Sequence, residues 1–182
     1  MNPLSDQLTR AKVQIPELTE IYLRWGANPA LATWAISSLE IMEPSQVWRA
    51  LWLLRQIAQT RELSEQELSA LAEKGDIVEH WTARLNLCQL LAATGVPASV
   101  RDELFPFLRE SFSDRRQIIR AWAISALVTF QADKRFRPEI EKMLRQAHRE
   151  AGKAMQARLR RLKRSGRKQD SATRHMGRVR PI

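Results

Sequence analysis

Trp48-Arg49-Ala50-Leu51-Trp52-Leu53-Leu54-Arg55-Gln56 returns 33 residues later as Trp81-Thr82-Ala83-Arg84-Leu85-Asn86-Leu87-Cys88-Gln89, matching at five alternating positions once Trp52 is allowed against Leu85. Trp122-Ala123-Ile124-Ser125-Ala126-Leu127-Val128 follows more loosely, 41 residues after Trp81. The segment Trp34-Ala35-Ile36-Ser37-Ser38-Leu39 is nearly identical to Trp122–Leu127, 88 residues apart, so the pairing at the N-terminal end stays ambiguous. Periods in this range mark helical hairpins. Such a hairpin cannot bury its apolar face alone and stacks on its neighbours, so the pattern predicts an all-α chain folded as a short right-handed α-solenoid.

Outward from these stretches, apolar residues recur at three- and four-residue spacing and strand signals are nearly absent. Stop and start chemistry divides the pattern. Asn28-Pro29 is a helix start, because the Asn side chain can accept from an orphan amide and proline at the first position loses only an unpaired donor; Glu43-Pro44-Ser45, Ser113-Asp114 and Arg137-Pro138 supply further starts. Ser64 with Glu67, and Asp76 with Glu79, have the spacing of a capping box. Gly75 and Gly95, the latter followed by Pro97, close the preceding helices. The predicted helices are 16–25, 29–42, 45–60, 64–74, 77–94, 98–112, 115–131 and 138–163, and links of two to six residues make neighbours antiparallel. The organisation expected is an N-terminal segment with a capping helix (1–27), helical hairpins (28–137), a basic amphipathic C-terminal helix (138–164) and a basic flexible tail (165–182).

With 182 residues, 44% of them hydrophobic and 27% charged, the chain can build one core without a disulfide framework or structural metal. The single Cys88 requires no oxidising compartment. Met1 to Thr19 lacks the apolar run of a secretory signal, and the longest unbroken apolar run, Ala50–Leu54, is far short of a membrane span, so a cytoplasmic location is expected. The net charge of +10 is unevenly placed: residues 1–144 carry 17 Lys+Arg against 18 Asp+Glu, and residues 145–182 carry 13 against 2. A near-neutral body with a strongly basic end is built to meet a polyanion, because cations gain by displacing counterions from phosphates.

The hairpin length, the apolar pairs Ile77-Val78 before Trp81 and Ile118-Ile119 before Trp122, and the Ser-Asp-Arg start at Ser113-Asp114-Arg115 resemble HEAT-like helical repeats over residues 28–150. That resemblance implies a scaffold binding other macromolecules along its repeat surface. HEAT-like folds also include DNA-alkylation-repair glycosylases, in which a carboxylate stands beside aromatic residues. The places where such a carboxylate would lie one turn after a tryptophan hold Leu85, Ala126 and Trp52, and Trp34 is followed by Ser38, so the resemblance to that enzyme group stops at the fold.

Helical spacing places Trp48, Trp52, Trp81 and Trp122 in the core, with Cys88 on the stripe of Trp81. His80, His148 and His175 are isolated from one another and from Cys88, so no metal site is expected. Gly152-Lys153 lacks the rest of a phosphate-binding loop. No catalytic residue and no cofactor is predicted.

The C-terminal helix separates its residues by type. Ile140, Met143, Leu144, Ala147, Ala151, Ala154, Met155, Leu159 and Leu162 form one stripe; Lys142, Arg145, Arg149, Lys153, Arg160 and Lys163 line another. The candidate polyanion-binding residues are Arg145, Arg149, Lys153, Arg160, Arg161, Lys163, Arg164, Arg167, Lys168, Arg174, Arg178 and Arg180, with Arg115, Arg116 and Arg120 as an extension. From Ser165 onward the composition predicts disorder in isolation. The function expected is a non-enzymatic scaffold with nucleic acid or a ribonucleoprotein at its C-terminus and a protein on its repeat surface. The alternatives are a scaffold whose tail binds an acidic protein, and a glycosylase.

Overall fold

The computed structural model describes residues 4–149, 152, 153 and 155–162. All regular structure among them is helical. The helices are α1 (Ser5–Leu8), α2 (Ile15–Trp25), α3 (Leu31–Ser38), α4 (Val47–Thr60), α5 (Glu65–Ala72), α6 (Trp81–Thr94), α7 (Arg101–Phe112), α8 (Gln117–Leu127), α9 (Arg137–Arg149) and α10 (155–162), with short 3-10 turns between several of them. No described helix is long and apolar enough to cross a membrane.

Contacts join both alternate and consecutive helices, α3 lying against α4. α2 packs on α4, α4 on α6 and α6 on α8; α1 meets α3 and α3 meets α5; α7 and α9 both lie against α8. The core between them is aliphatic, with Leu51, Leu53, Leu54, Leu87, Leu90, Leu91, Ile124 and Leu127 closed off from solvent. Each such leucine or isoleucine contributes about 2 kcal/mol relative to exposure.

Side-chain contacts join residues 33 or 34 positions apart. Lys74 pairs with Glu40, the Arg55 guanidinium meets the Gln89 carboxamide, Ser99 meets Glu65, Arg135 binds Asp102 at 2.8 Å, and Arg158 Nε donates to Ser125 Oγ at 2.8 Å. This is the separation of Trp48 from Trp81 in the sequence. The looser match to Trp122 differs in position, since Trp81 opens α6 and Trp122 lies in the second turn of α8. The near-identical hexapeptides share a local fate instead: both helices tighten into a 3-10 turn, Leu39–Ile41 after α3 and Val128–Phe130 after α8. Ser37 Oγ bonds to Thr33 O and Ser125 Oγ to Ala121 O, a back-bond to the preceding turn that bends helices.

Several starts differ from the sequence expectation. The Ser64/Glu67 capping box forms, Glu67 N donating to Ser64 Oγ at 3.1 Å and Ser64 N to Glu67 Oε2 at 2.8 Å. The Asp76/Glu79 box does not: Gly75–Ile77 is a 3-10 turn, Val78 is buried, and α6 starts only at Trp81 under a His80 cap. α3, α4, α7 and α8 each begin two or three residues late, the interval being filled by turns such as Asn28 Oδ1 accepting from Ala30 N at 2.9 Å. Gly95 closes α6 at φ +73°, a conformation that glycine adopts without strain.

The single helix expected over 138–163 is interrupted. α9 ends at Arg149, Gly152 is not helical, and helix resumes after it, with Gln156 N donating to Gly152 O at 3.0 Å. A Cβ on Gly152 would come within 2.6 Å of Cδ and Nε2 of Gln117, the far end of a flexible side chain on α8, so Gly152 lies directly against that side chain. At the other end, α1 was not foreseen. It is fastened by Arg49 of α4, whose buried Nη1 donates to Leu8 O at 2.6 Å and Arg10 O at 2.7 Å.

Candidate nucleic-acid interface

The basic end is placed by what its apolar stripe buries. On α9, Ile140, Met143 and Ala147 are enclosed and Leu144 is half-buried; on α10, Met155 and Leu159 are enclosed and Leu162 is half-buried. Helical periodicity then sets the remaining faces outward. Arg145 and Arg149 on α9, Lys153, and Arg160 and Arg161 on α10 are all exposed, and Lys142 extends the α9 row. Arg145 and Arg149 stand one turn apart, which gives them the same side of the helix. Lys163, Arg164, Arg167, Lys168, Arg174, Arg178 and Arg180 lie outside the described residues, as does the expected tail.

Arg158 behaves differently from its neighbours. Its guanidinium lies over the Trp122 ring, 3.3 Å from the centroid, while its Nε holds Ser125. Burial pulls its pKa below the ordinary arginine value, and the charge of Arg161 adds to that. Arg158 therefore pins α10 to α8, and the exposed cations on either side are held by that contact. Helical spacing had assigned Arg158 to neither stripe; a tryptophan and a serine three residues apart on a packed neighbour were the signal.

The proposed extension divides similarly. Arg115 is exposed, but Arg120 Nε caps Phe112 O at 3.1 Å and Arg116 lies over Trp81 at 5.2 Å. Trp81 is 39% exposed, which corrects its expected place in the core. The late start of α6 explains this, because Trp81 then sits at the helix end, where only part of its ring can reach the interior. Trp25, Trp34, Trp48, Trp52 and Trp122 are half-buried against the core.

Trp81 lines a surface hollow of about 540 Å³ with Glu79, His80, Arg84, Glu110, Ser113, Asp114 and Arg116. His80 Nδ1 is 2.6 Å from Thr82 Oγ1 and accepts from Thr82 N. Carboxylates and cations are matched across the hollow: Arg84 pairs with Glu110 at 2.8 Å and Arg116 with Asp114 at 3.7 Å. These carboxylates come from α7 and the turn after it, so inspection one turn along the tryptophan's own helix could not have found them. Cys88 is buried behind, with its thiol pushed up to about 12 by burial. No group of three or more potential metal ligands occurs among the described residues.

Comparison with protein-family models, curated proteins and solved structures gives no match to this chain.

Proposed function

We propose that the protein is a non-enzymatic, HEAT-like module of stacked helical hairpins that binds nucleic acid or a ribonucleoprotein through its basic C-terminal helices and tail, and a protein through its repeat surface. The observation that carries the nucleic-acid part is the segregation within residues 140–162: Ile140, Met143, Ala147, Met155 and Leu159 are buried, while Arg145, Arg149, Lys153, Arg160 and Arg161 face solvent. Cations held on docked helices neutralise phosphates at less ordering cost than cations on a free chain. Support for the stacked hairpins comes from five side-chain contacts that join residues 33 or 34 positions apart. A cytoplasmic location accords with one buried, unpaired cysteine.

The test uses the full chain and a variant with Arg145, Arg149, Lys153, Arg160 and Arg161 changed to Gln. Truncation before these residues is a poor substitute, because it also strips Ala147, Met155 and Leu159 from the core. Binding of labelled nucleic acid is measured over a salt series. The full chain should bind with log affinity falling by about 0.9 per neutralised duplex phosphate, and the variant should lose both affinity and slope. Tight binding to polyglutamate with none to nucleic acid would assign the basic end to an acidic protein instead.

A glycosylase is the second reading, favoured by one observation: exposed Trp81 shares its hollow with Glu110 and Asp114. The pairing of these carboxylates to Arg84 and Arg116 weighs against it, since a carboxylate occupied by an arginine is not poised to stabilise a cationic sugar. Release of an alkylated base, lost in Glu110→Gln or Asp114→Asn, would overturn the non-enzymatic reading.

A further inference from the structure

Resting on the nucleic-acid reading of the basic end, we infer that its ligand is the phosphate backbone of a double helix, and that single strands are the weaker ligand. Single-strand sites combine a cationic track with aromatic faces on which unpaired bases stack, and the stacking offsets the cost of ordering a flexible strand. The basic end offers none of the large rings, its only aromatic groups being the small imidazoles of His148 and His175. From Arg137 to Ile182 the sequence contains no Phe, Tyr or Trp. Trp122, the ring that α10 lies against, is covered by the Arg158 guanidinium 3.3 Å from its centroid. Phe112 is buried beneath Arg120.

The exposed tryptophan of the described residues stands elsewhere. Trp81 shares its hollow with Glu79, Glu110 and Asp114, of which Glu110 and Asp114 are paired to Arg84 and Arg116, so the hollow is close to charge-balanced instead of cationic, and Arg116 occupies part of the ring. What remains at the basic end, among the described residues, is a set of exposed guanidinium and ammonium groups (Arg145, Arg149, Lys153, Arg160 and Arg161) carried on docked helices. A duplex presents a rigid and denser array of phosphates, about one charge per 1.7 Å of axis, and needs no stacking partner.

The experiment is a binding titration of the full chain against a labelled 24-base-pair DNA duplex, an RNA duplex of equal length and the matching single strands, at 50 and 200 mM salt. The expected result is at least tenfold tighter binding of one or both duplexes than of the single strands at equal nucleotide concentration. Affinity for the duplex should fall about 500-fold between the two salt concentrations if five phosphates are neutralised. The DNA and RNA arms show which helical form fits the cation spacing. Trp81→Ala should leave every affinity unchanged. Single strands binding as tightly as duplexes, or a loss of binding in Trp81→Ala, would overturn the duplex inference while leaving a nucleic-acid function intact. Absence of binding in all arms at 50 mM salt would overturn both.

Discussion

Arg158 and Arg160 are two positions apart on one short helix and do opposite things. Arg158 is folded onto Trp122 and Ser125, whereas Arg160 is exposed. A cation over an indole and a hydrogen bond together are worth about 2 kcal/mol, so Arg158→Ala should lower the Tm by roughly 4–8 °C in thermal denaturation. Arg160→Ala should leave it within about 1 °C, as expected for an exposed charge. Cys88 gives a second test at this scale. Its thiol, raised to about 12 by burial, should resist a thiol reagent at pH 8 in the native protein and react promptly in denaturant. Rapid labelling of the native chain would mean that the interior behind α6 is open. Helical spacing made the buried place of Cys88 legible. It could not reveal Arg49, because the carbonyls that Arg49 holds belong to Leu8, at the end of a four-residue helix with little periodicity, and to Arg10 just after it.

At the scale of elements, what could be read was where chain direction changes; what could not was how tightly each turn is wound. Ser64 and Glu67 form their box, and Arg61 holds the Glu67 carboxylate at 2.6 Å alongside it. Asp76 and Glu79 have the same spacing, but burial of Val78 draws the backbone out of helical geometry between them. The turn before α9 carries a pH dependence. Asp133 accepts from Arg135 Nη2 at 2.8 Å and from Arg135 N at 3.1 Å, and lies 3.6 Å from Arg101. These contacts, led by the Arg135 side chain, hold its carboxyl down to about 2 from an ordinary 3.8. A carboxyl with a depressed folded pKa contributes stability that is fully present above its unfolded pKa and lost as pH falls through the folded value. The Tm should therefore drop between pH 4 and pH 2, and Asp133→Asn should flatten that drop while lowering the Tm at pH 6. An equal drop in the variant would assign the acid sensitivity to other carboxylates.

For the molecule as a whole, the concentration of charge beyond residue 144 was plain from counting, and the two stripes of residues 140–162 were plain from periodicity. Exposure of Arg145, Arg149, Lys153, Arg160 and Arg161 follows from that pattern. The break at Gly152 does not, because an isolated glycine inside a helical pattern is often tolerated without ending the helix. The hollow at Trp81 was equally hidden, being assembled from α6, α7 and the turn between α7 and α8. The function proposed above implies a division of labour, in which one set of C-terminal residues docks and the other is the set proposed to meet a polyanion. The most direct measurement of it pairs thermal denaturation with duplex binding for Arg158→Ala and for the variant neutralised at the five exposed cations. Arg158→Ala should melt several degrees lower yet bind the duplex within about twofold below its melting transition, and the neutralised variant should keep its Tm while losing at least 100-fold in affinity at 50 mM salt. If instead the neutralised variant binds like the parent, or unfolds where Arg158→Ala does not, the exposed cations are structural and the separation of docking from binding is wrong.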